Sequence, residues 1–148
     1  MTRLARAAAL LVPILLAACA SGPQLATVDG RIPPVAADAS RVWFYRPAVF
    51  FGDGIQPDIL LNGKKVGEAE PNGVFFVDTK PGACDVEMQT EVSRHLTFVA
   101  PAGGQTYVEA VVTPGILAAR VYPDLIDPRL GQQAIRSLHF TGKLPAAN

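Results

Sequence analysis

Between Asp58 and Ala69 the chain reads DILLNGKKVGEA, and the Asn62-Gly63 step at its centre leaves the backbone few choices. Both residues accept positive φ, which the two central positions of a type I′ turn require, and the runs on either side are strand-like. The segment therefore predicts a tight antiparallel hairpin. The same period of two recurs around it. In ACDVEMQTEV, Cys84, Val86 and Met88 share one face and Asp85, Glu87 and Gln89 the other, so the first set is expected to point inward. RVWFYRP, aromatic and β-branched, reads as a strand bounded by Pro47. GVFFVDTKPG is apolar on both faces at Val74, Phe75, Phe76 and Val77, which predicts a central strand covered on both sides before Pro81-Gly82 turns the chain. HLTFVAP directs Leu96 and Phe98 inward and His95 and Thr97 outward. TYVEAVVTPG is a further strand, and LAARVYP a short edge strand ending at Pro123.

One helix is expected, in DPRLGQQAIRSL. Asp127 can cap it and Pro128 suits its first position. Leu130, Ala134 and Leu138 recur every four residues and are expected to face the sheet, with Gly131 as a weak point in the helix. Thirteen glycines and thirteen prolines in 148 residues agree with many turns and few long helices. Six or seven short strands at regular spacing predict a mostly β fold, a small antiparallel β-sandwich with one C-terminal helix.

Ahead of this domain lies a different kind of sequence. MTRLARAAALLVPILLAAC carries Arg3 and Arg6, then an apolar stretch from Ala7 to Ala18, the build of a secretory signal. The stretch is short for a membrane-spanning helix, which needs about 20 apolar residues. Leu16-Ala17-Ala18-Cys19 resembles the lipobox of bacterial lipoproteins. That resemblance implies a signal peptide over 1–18, cleavage before Cys19, palmitate or a similar acyl group on its sulfur, and a bilayer as the partner of the anchored protein. Ala20, where enterobacterial inner-membrane lipoproteins carry aspartate, implies residence at the outer membrane, facing the periplasm. Residues 20–40 lack apolar periodicity and read, with Cys19, as a flexible linker spanning roughly 25 Å. The β-sandwich domain is expected over 41–148.

The run from RVWFYRP through GVFFVDTKPGACDVEMQTE resembles a family of bacterial lipoproteins built on a domain of unknown function, DUF2846. The likeness covers roughly residues 41–112 and includes Arg46-Pro47, Asn62-Gly63-Lys64, Gly67, Phe76 and Pro81-Gly82. It implies a β-sandwich of the transthyretin and carboxypeptidase-regulatory kind. It brings no established activity, so no catalytic residue carries over.

Charge excludes some partners. Removing residues 1–18 takes away Arg3 and Arg6, leaving 11 basic against 13 acidic residues, a net of −2. Nucleic acid, which calls for a strongly basic face, is not an expected partner. Neither catalytic residues, a metal site nor a cofactor is expected. Cys84 lacks a second thiol once Cys19 is lipidated and suits the core face it shares with Val86 and Met88. His95 and His139 are the only histidines. Asp85, Glu87 and His95 share a polar face, more in keeping with solvation than with a metal, which would want three or four ligands. FFGDGIQ, residues 50–56, lacks the Lys-Ser/Thr and the following helix of a phosphate loop. Its aromatic pair, Phe50 and Phe51, either plugs the end of the sandwich or joins Asp53 and Ile55 in an interaction loop. The expected function is that of a membrane-anchored, non-enzymatic interaction or envelope-assembly module, with an envelope protein as a possible partner at the 50–57 loop and the strand edge near 119–123. The alternative is a small-ligand or glycan-binding lipoprotein with Trp43, Tyr45 or Tyr107 lining a groove.

Overall fold

A computed structural model describes residues 20–144. The segment 1–18 expected to be a signal peptide and Cys19 lie outside the described residues. Within them nine strands form two sheets. The larger sheet runs in the order β8 (Arg120–Ile126), β7 (Gln105–Thr113), β1 (Ser40–Arg46), β4 (Gly73–Thr79), β9 (His139–Phe140). The smaller follows the order β3 (Lys64–Glu68), β2 (Asp58–Leu61), β5 (Gly82–Gln89), β6 (Ser93–Ala100). The result is a mostly antiparallel sandwich. Two pairings depart from the antiparallel expectation: β1 runs parallel to β7, and β4 runs parallel to β9.

The hairpin forms as its turn residues dictate. Asn62 and Gly63 take φ of 50° and 75°, and Leu61 pairs with Lys64 across them. The Asn62 side-chain oxygen also accepts from the backbone N–H of Asp85, which fixes the hairpin to β5. Cys84, Val86 and Met88 point between the sheets and are buried, as their alternation requires. They meet Val42 and Phe44 of β1, Phe75 of β4 and Val108 of β7. Each such side chain, fully buried, contributes about 1.5–3 kcal/mol.

A second apolar layer covers the outer face of the larger sheet. Trp43, Tyr45, Val74 and Tyr107 project there and are met by Leu25 and Val28 from one side and by Ile135, Leu138 and Phe140 from the other. All seven residues of β1 are therefore buried. β4 is covered on both faces at its start, as its continuous apolar run implies.

Within the described part of the expected 19–40 linker, residues 20–40, this outer layer corrects the expectation of flexibility. Leu25–Val28 form one turn of helix, α1, followed by a 3-10 turn at Asp29–Arg31. The Ala20 N–H donates to Pro71 O, Leu25 N–H to Leu138 O, and Gln24 forms a bridge with His139. Arg41 completes the attachment, donating to Pro33 O at 2.8 Å while it grips Asp78 through two further bonds of 2.7 and 2.8 Å. The segment carries too few apolar residues for a periodicity to show, yet Leu25 and Val28 suffice because the sheet supplies the rest of the surface.

The C-terminal helix α2 spans Pro128–Ile135, and the Asp127 carboxylate caps it by accepting from the N–H groups of Arg129 and Leu130. Ala134 and Leu138 face the sheet as their spacing predicts, and the departure is at Leu130. Leu130 is exposed, while Gly131 and Ile135 are buried. A Cβ on Gly131 would stand 2.5 Å from the Tyr107 Cβ and Cγ, so the glycine is the point of closest approach of helix to sheet. β8 likewise continues through Pro123, which pairs with Ala110, to Ile126. As an edge strand it tolerates a residue without an N–H.

Gly131 separates two physical roles. Were it only a poor helix former, Gly131→Ala would stabilise the protein by about 1 kcal/mol. The contact with Tyr107 reverses the sign, and chemical denaturation should show a loss of about 1–3 kcal/mol from overpacking.

Candidate functional site: an apolar pole built on Arg46

β1 delivers alternate residues to opposite faces. Val42 and Phe44 enter the space between the sheets, and Arg46, next in that series, brings a guanidinium to the open end of the sandwich. It is 1% exposed. Its Nη1 donates to Ile55 O and, at 2.8 Å, to Ala69 O; its Nη2 donates to Gly52 O at 2.7 Å. Burial lowers the guanidinium's pKa below its ordinary value, and the charge of Asp53 opposes that shift. The sandwich is thus plugged by Arg46, and the aromatic pair that might have filled this place is displaced outward. Phe50 is wholly exposed and Phe51 is 42% exposed, while Ile55 packs against the core. Asp53 is exposed at the shoulder of the same loop.

Three neighbouring segments complete this pole. Residues 114–119, between β7 and β8, carry Ile116 and Leu117, both almost fully exposed. Together with Phe51, Gly52 and Ile55 they border a shallow apolar groove. Residues 90–92, between β5 and β6, bring Val92, half exposed, and Glu91. The Glu91 carboxylate accepts from the N–H groups of Leu117 and Ala118, each at 2.9 Å, and pairs with Arg120 Nε at 3.1 Å. Those two backbone donors, then Arg120, hold its pKa below the usual carboxylate value. The fourth segment is the turn 69–72, where Ala20 is fastened to Pro71. Sequence periodicity could not bring these loops together. The uncharged stretches PAVFFG (47–52) and TPGILAA (113–119) were nevertheless a usable signal, since each carries apolar bulk without strand alternation.

A cleft of about 280 Å³ lies on the opposite face of the larger sheet, between α1 and α2. Trp43 and Tyr107 floor it, their rings parallel within 4° at a centroid separation of 6.4 Å. Trp43 Nε1 donates to Gln105 Oε1 at 2.7 Å, and Arg41 stacks on Phe76 with its guanidinium carbon 4.0 Å from the ring centre. Gln132 and Arg136 stand at the rim of the cleft. Tyr45, on the same face, donates to Glu109 at 2.9 Å; burial and that hydrogen bond raise its pKa.

The polar cluster on β5 and β6 is assembled as its alternation implies. His95 Nδ1 lies 3.1 Å from Asp85 Oδ2, and its Nε2 is 3.8 Å from Glu87 Oε1. Glu87 also accepts from Gln89 and Ser93, so the Ser93 hydroxyl serves a carboxylate and no histidine. Among the described residues no group of three His, Cys, Asp or Glu side chains is arranged to hold a metal ion. Cys84 is 3% exposed, and burial pushes its thiol pKa up. His139 bonds to Gly22 O, far from His95.

The profile of a family described as "Protein of unknown function (DUF2846)" matches residues 36–119. The chain belongs to that family. The match takes in β1 to β7, including Arg46 and the loops of the pole, but it stops short of α2 and begins after α1. An uncharacterized protein of Haemophilus influenzae is 22% identical over 141 residues, covering 92% of this chain and 83% of the relative. No solved structure matches.

Two measurements probe the pole of this DUF2846 protein. Arg46→Met removes the donor to three carbonyls, that of Ala69 buried and those of Gly52 and Ile55 partly so, and denaturation should show a loss of about 3 kcal/mol; Arg46→Lys should not restore it, because one ammonium cannot span all three. Glu91 sets a pH dependence. Its folded pKa is depressed, so its contribution is complete above the ordinary carboxylate value of about 4.5 and is lost as pH falls through the lower folded value. Hydrogen-exchange protection of the Leu117 and Ala118 amides should drop in that acid range, and Glu91→Gln should lower it at neutral pH.

Proposed function

We propose that this protein is a lipid-anchored module of the bacterial cell envelope, without catalytic activity, whose working surface is the pole around Arg46. The observation that carries this reading is the gathering of Phe50, Phe51, Val92, Ile116 and Leu117, all exposed, at one end of an otherwise well-buried sandwich. Contiguous exposed apolar surface of this kind marks a site of protein or membrane contact. The lipobox-like Leu16-Ala17-Ala18-Cys19 supports anchoring through Cys19, and Ala20 supports the outer membrane.

A second reading draws on the cleft over Trp43 and Tyr107, which has the parallel aromatic floor and amide-bearing rim suited to a small ligand or a sugar ring. Part of its polar lining is already committed: Arg41 to Asp78 and Pro33, Gln105 to Trp43. The pole, where Phe50, Ile116 and Leu117 stand almost wholly exposed, is the stronger site.

Labelled palmitate should enter the wild-type chain and not Cys19→Ser, which should leave the membrane fraction. Replacing Phe50 and Phe51 by alanine should leave the melting temperature nearly unchanged and reduce the envelope contacts captured by cross-linking in cells. Equal membrane retention of Cys19→Ser, or undiminished contacts in the double variant, would count against the respective half of the reading.

A further inference from the structure

Where the chain enters the fold decides what the pole can meet. The Ala20 N–H is bonded to Pro71 O, and Ala20 is 6% exposed. Pro71 lies in the turn before β4, whose first residue, Gly73, pairs with Arg46. Ala20, the first described residue and the one bonded covalently to Cys19, therefore stands at the same end of the sandwich that bears the exposed loops. Residues 20–40 offer no slack, since α1 and the segment after it are packed on the outer face of the sheet.

The distribution of exposed apolar side chains has the same polarity. Eight large hydrophobic residues are exposed among the described residues, and five of them, Phe50, Phe51, Val92, Ile116 and Leu117, belong to the loops of this pole. The other three are dispersed: Val99 toward the far end of β6, Leu125 midway along the larger sheet, Leu130 on α2. The two longest loops of the pole carry no ionisable group over 47–52 and 113–119. Of the carboxylates at this end, Glu91 is held by Arg120 and two backbone N–H groups and Asp53 is exposed on the shoulder of its loop, while the cation beneath, Arg46, is buried.

We propose that the occupant of this pole is the bilayer itself: the domain sits directly on the membrane that holds its anchor, with the 47–52 and 114–119 loops in the lipid interface. This rests on the anchoring of Cys19 proposed above and names the partner of the site described there. An acyl group on Cys19 enters the bilayer beside the pole, and with no free tether the pole cannot move far from it. A protein partner would have to fit between the domain and the lipid. Apolar loop tips buried about 5–10 Å into the headgroup–acyl boundary gain from leaving water without needing a basic patch, and Asp53, on the loop's shoulder, remains at headgroup level.

The test uses the full chain in bacterial cells, with photoreactive benzoylphenylalanine placed at position 50 or 117, or at 99 or 130 as controls. Cells are labelled separately with palmitate, which reports the anchor, and with radioactive phosphate, which reports phospholipid joined to the protein by light. The proposal expects phosphate-bearing adducts from 50 and 117 several-fold above those from 99 and 130. Palmitate incorporation with adducts at 50 and 117 that contain protein in place of phospholipid, or that do not exceed the controls, overturns the docking and leaves the anchor standing. Phospholipid adducts without palmitate overturn the anchor and support the docking. Neither label overturns both.

Discussion

A guanidinium buried between two sheets is an expensive thing to leave unmatched, and the arrangement of this end of the sandwich follows from how Arg46 is matched. Its partners are main-chain carbonyls drawn from two separate loops, Gly52 and Ile55 in one and Ala69 in the other. Charge-assisted bonds of this kind are stronger than neutral ones, and each fixes a backbone that no regular ladder supports. Its Nε has no partner among the described residues, so the match is incomplete and the two Nη groups bear it. Because the space between the sheets is already occupied by the arginine, the phenylalanines that follow it in sequence have no interior to enter. The exposure of Phe50 and Phe51 is thus a packing consequence of Arg46.

Arg41, near the other end of the same strand, works on the opposite face. It pairs with Asp78 on the adjacent strand and reaches across to Pro33 O, so one residue binds the preceding chain to the sheet. Four residues separate the two arginines, so they have opposite parity on the strand. Arg41 shares the outer face with Trp43 and Tyr45, Arg46 the inner face with Val42 and Phe44. A strand with both faces covered can carry a cation at each end only if each finds acceptors within reach, and here the acceptors come from segments outside the sheets. β1 organises both layers for that reason.

The sequence made the regular parts of this fold legible because their physics is local. Positive φ at Asn62-Gly63, the alternation through Cys84, Val86 and Met88, and the Asp127 cap each depend on a few adjacent residues, and each appears where its residues imply. What escaped was set by distant neighbours. Leu25 and Val28 are too sparse to announce a packed segment, and only the surface of Trp43 and Tyr107 gives them something to cover. Gly131 looks like a defect in a helix until Tyr107 is placed beneath it. Arg46-Pro47 was recognisable as a family feature, but the role of its arginine depends on three carbonyls up to 23 positions away. The pole was the least legible of all, since Phe50, Val92 and Leu117 come together only through loops that no periodicity governs.

The two candidate surfaces stand in a definite relation. β1 runs from Ser40 to Arg46, and Arg46 ends at the pole, while the cleft is floored by Trp43 and Tyr107 on the strand's outer flank with Arg41 toward its far end. In the proposed docking, with the pole against lipid, the strands of the larger sheet would rise from the membrane and the cleft would open sideways, clear of the headgroups. A soluble molecule could then reach Gln132 and Arg136 without disturbing the docked loops. The packed segment 20–40 joins the two, since it leaves the pole at Ala20 and, through Leu25, Asp29 and Ile32, forms one wall of the cleft. The same stretch of chain therefore links the end of the sandwich that holds Ala20 to the wall of the cleft.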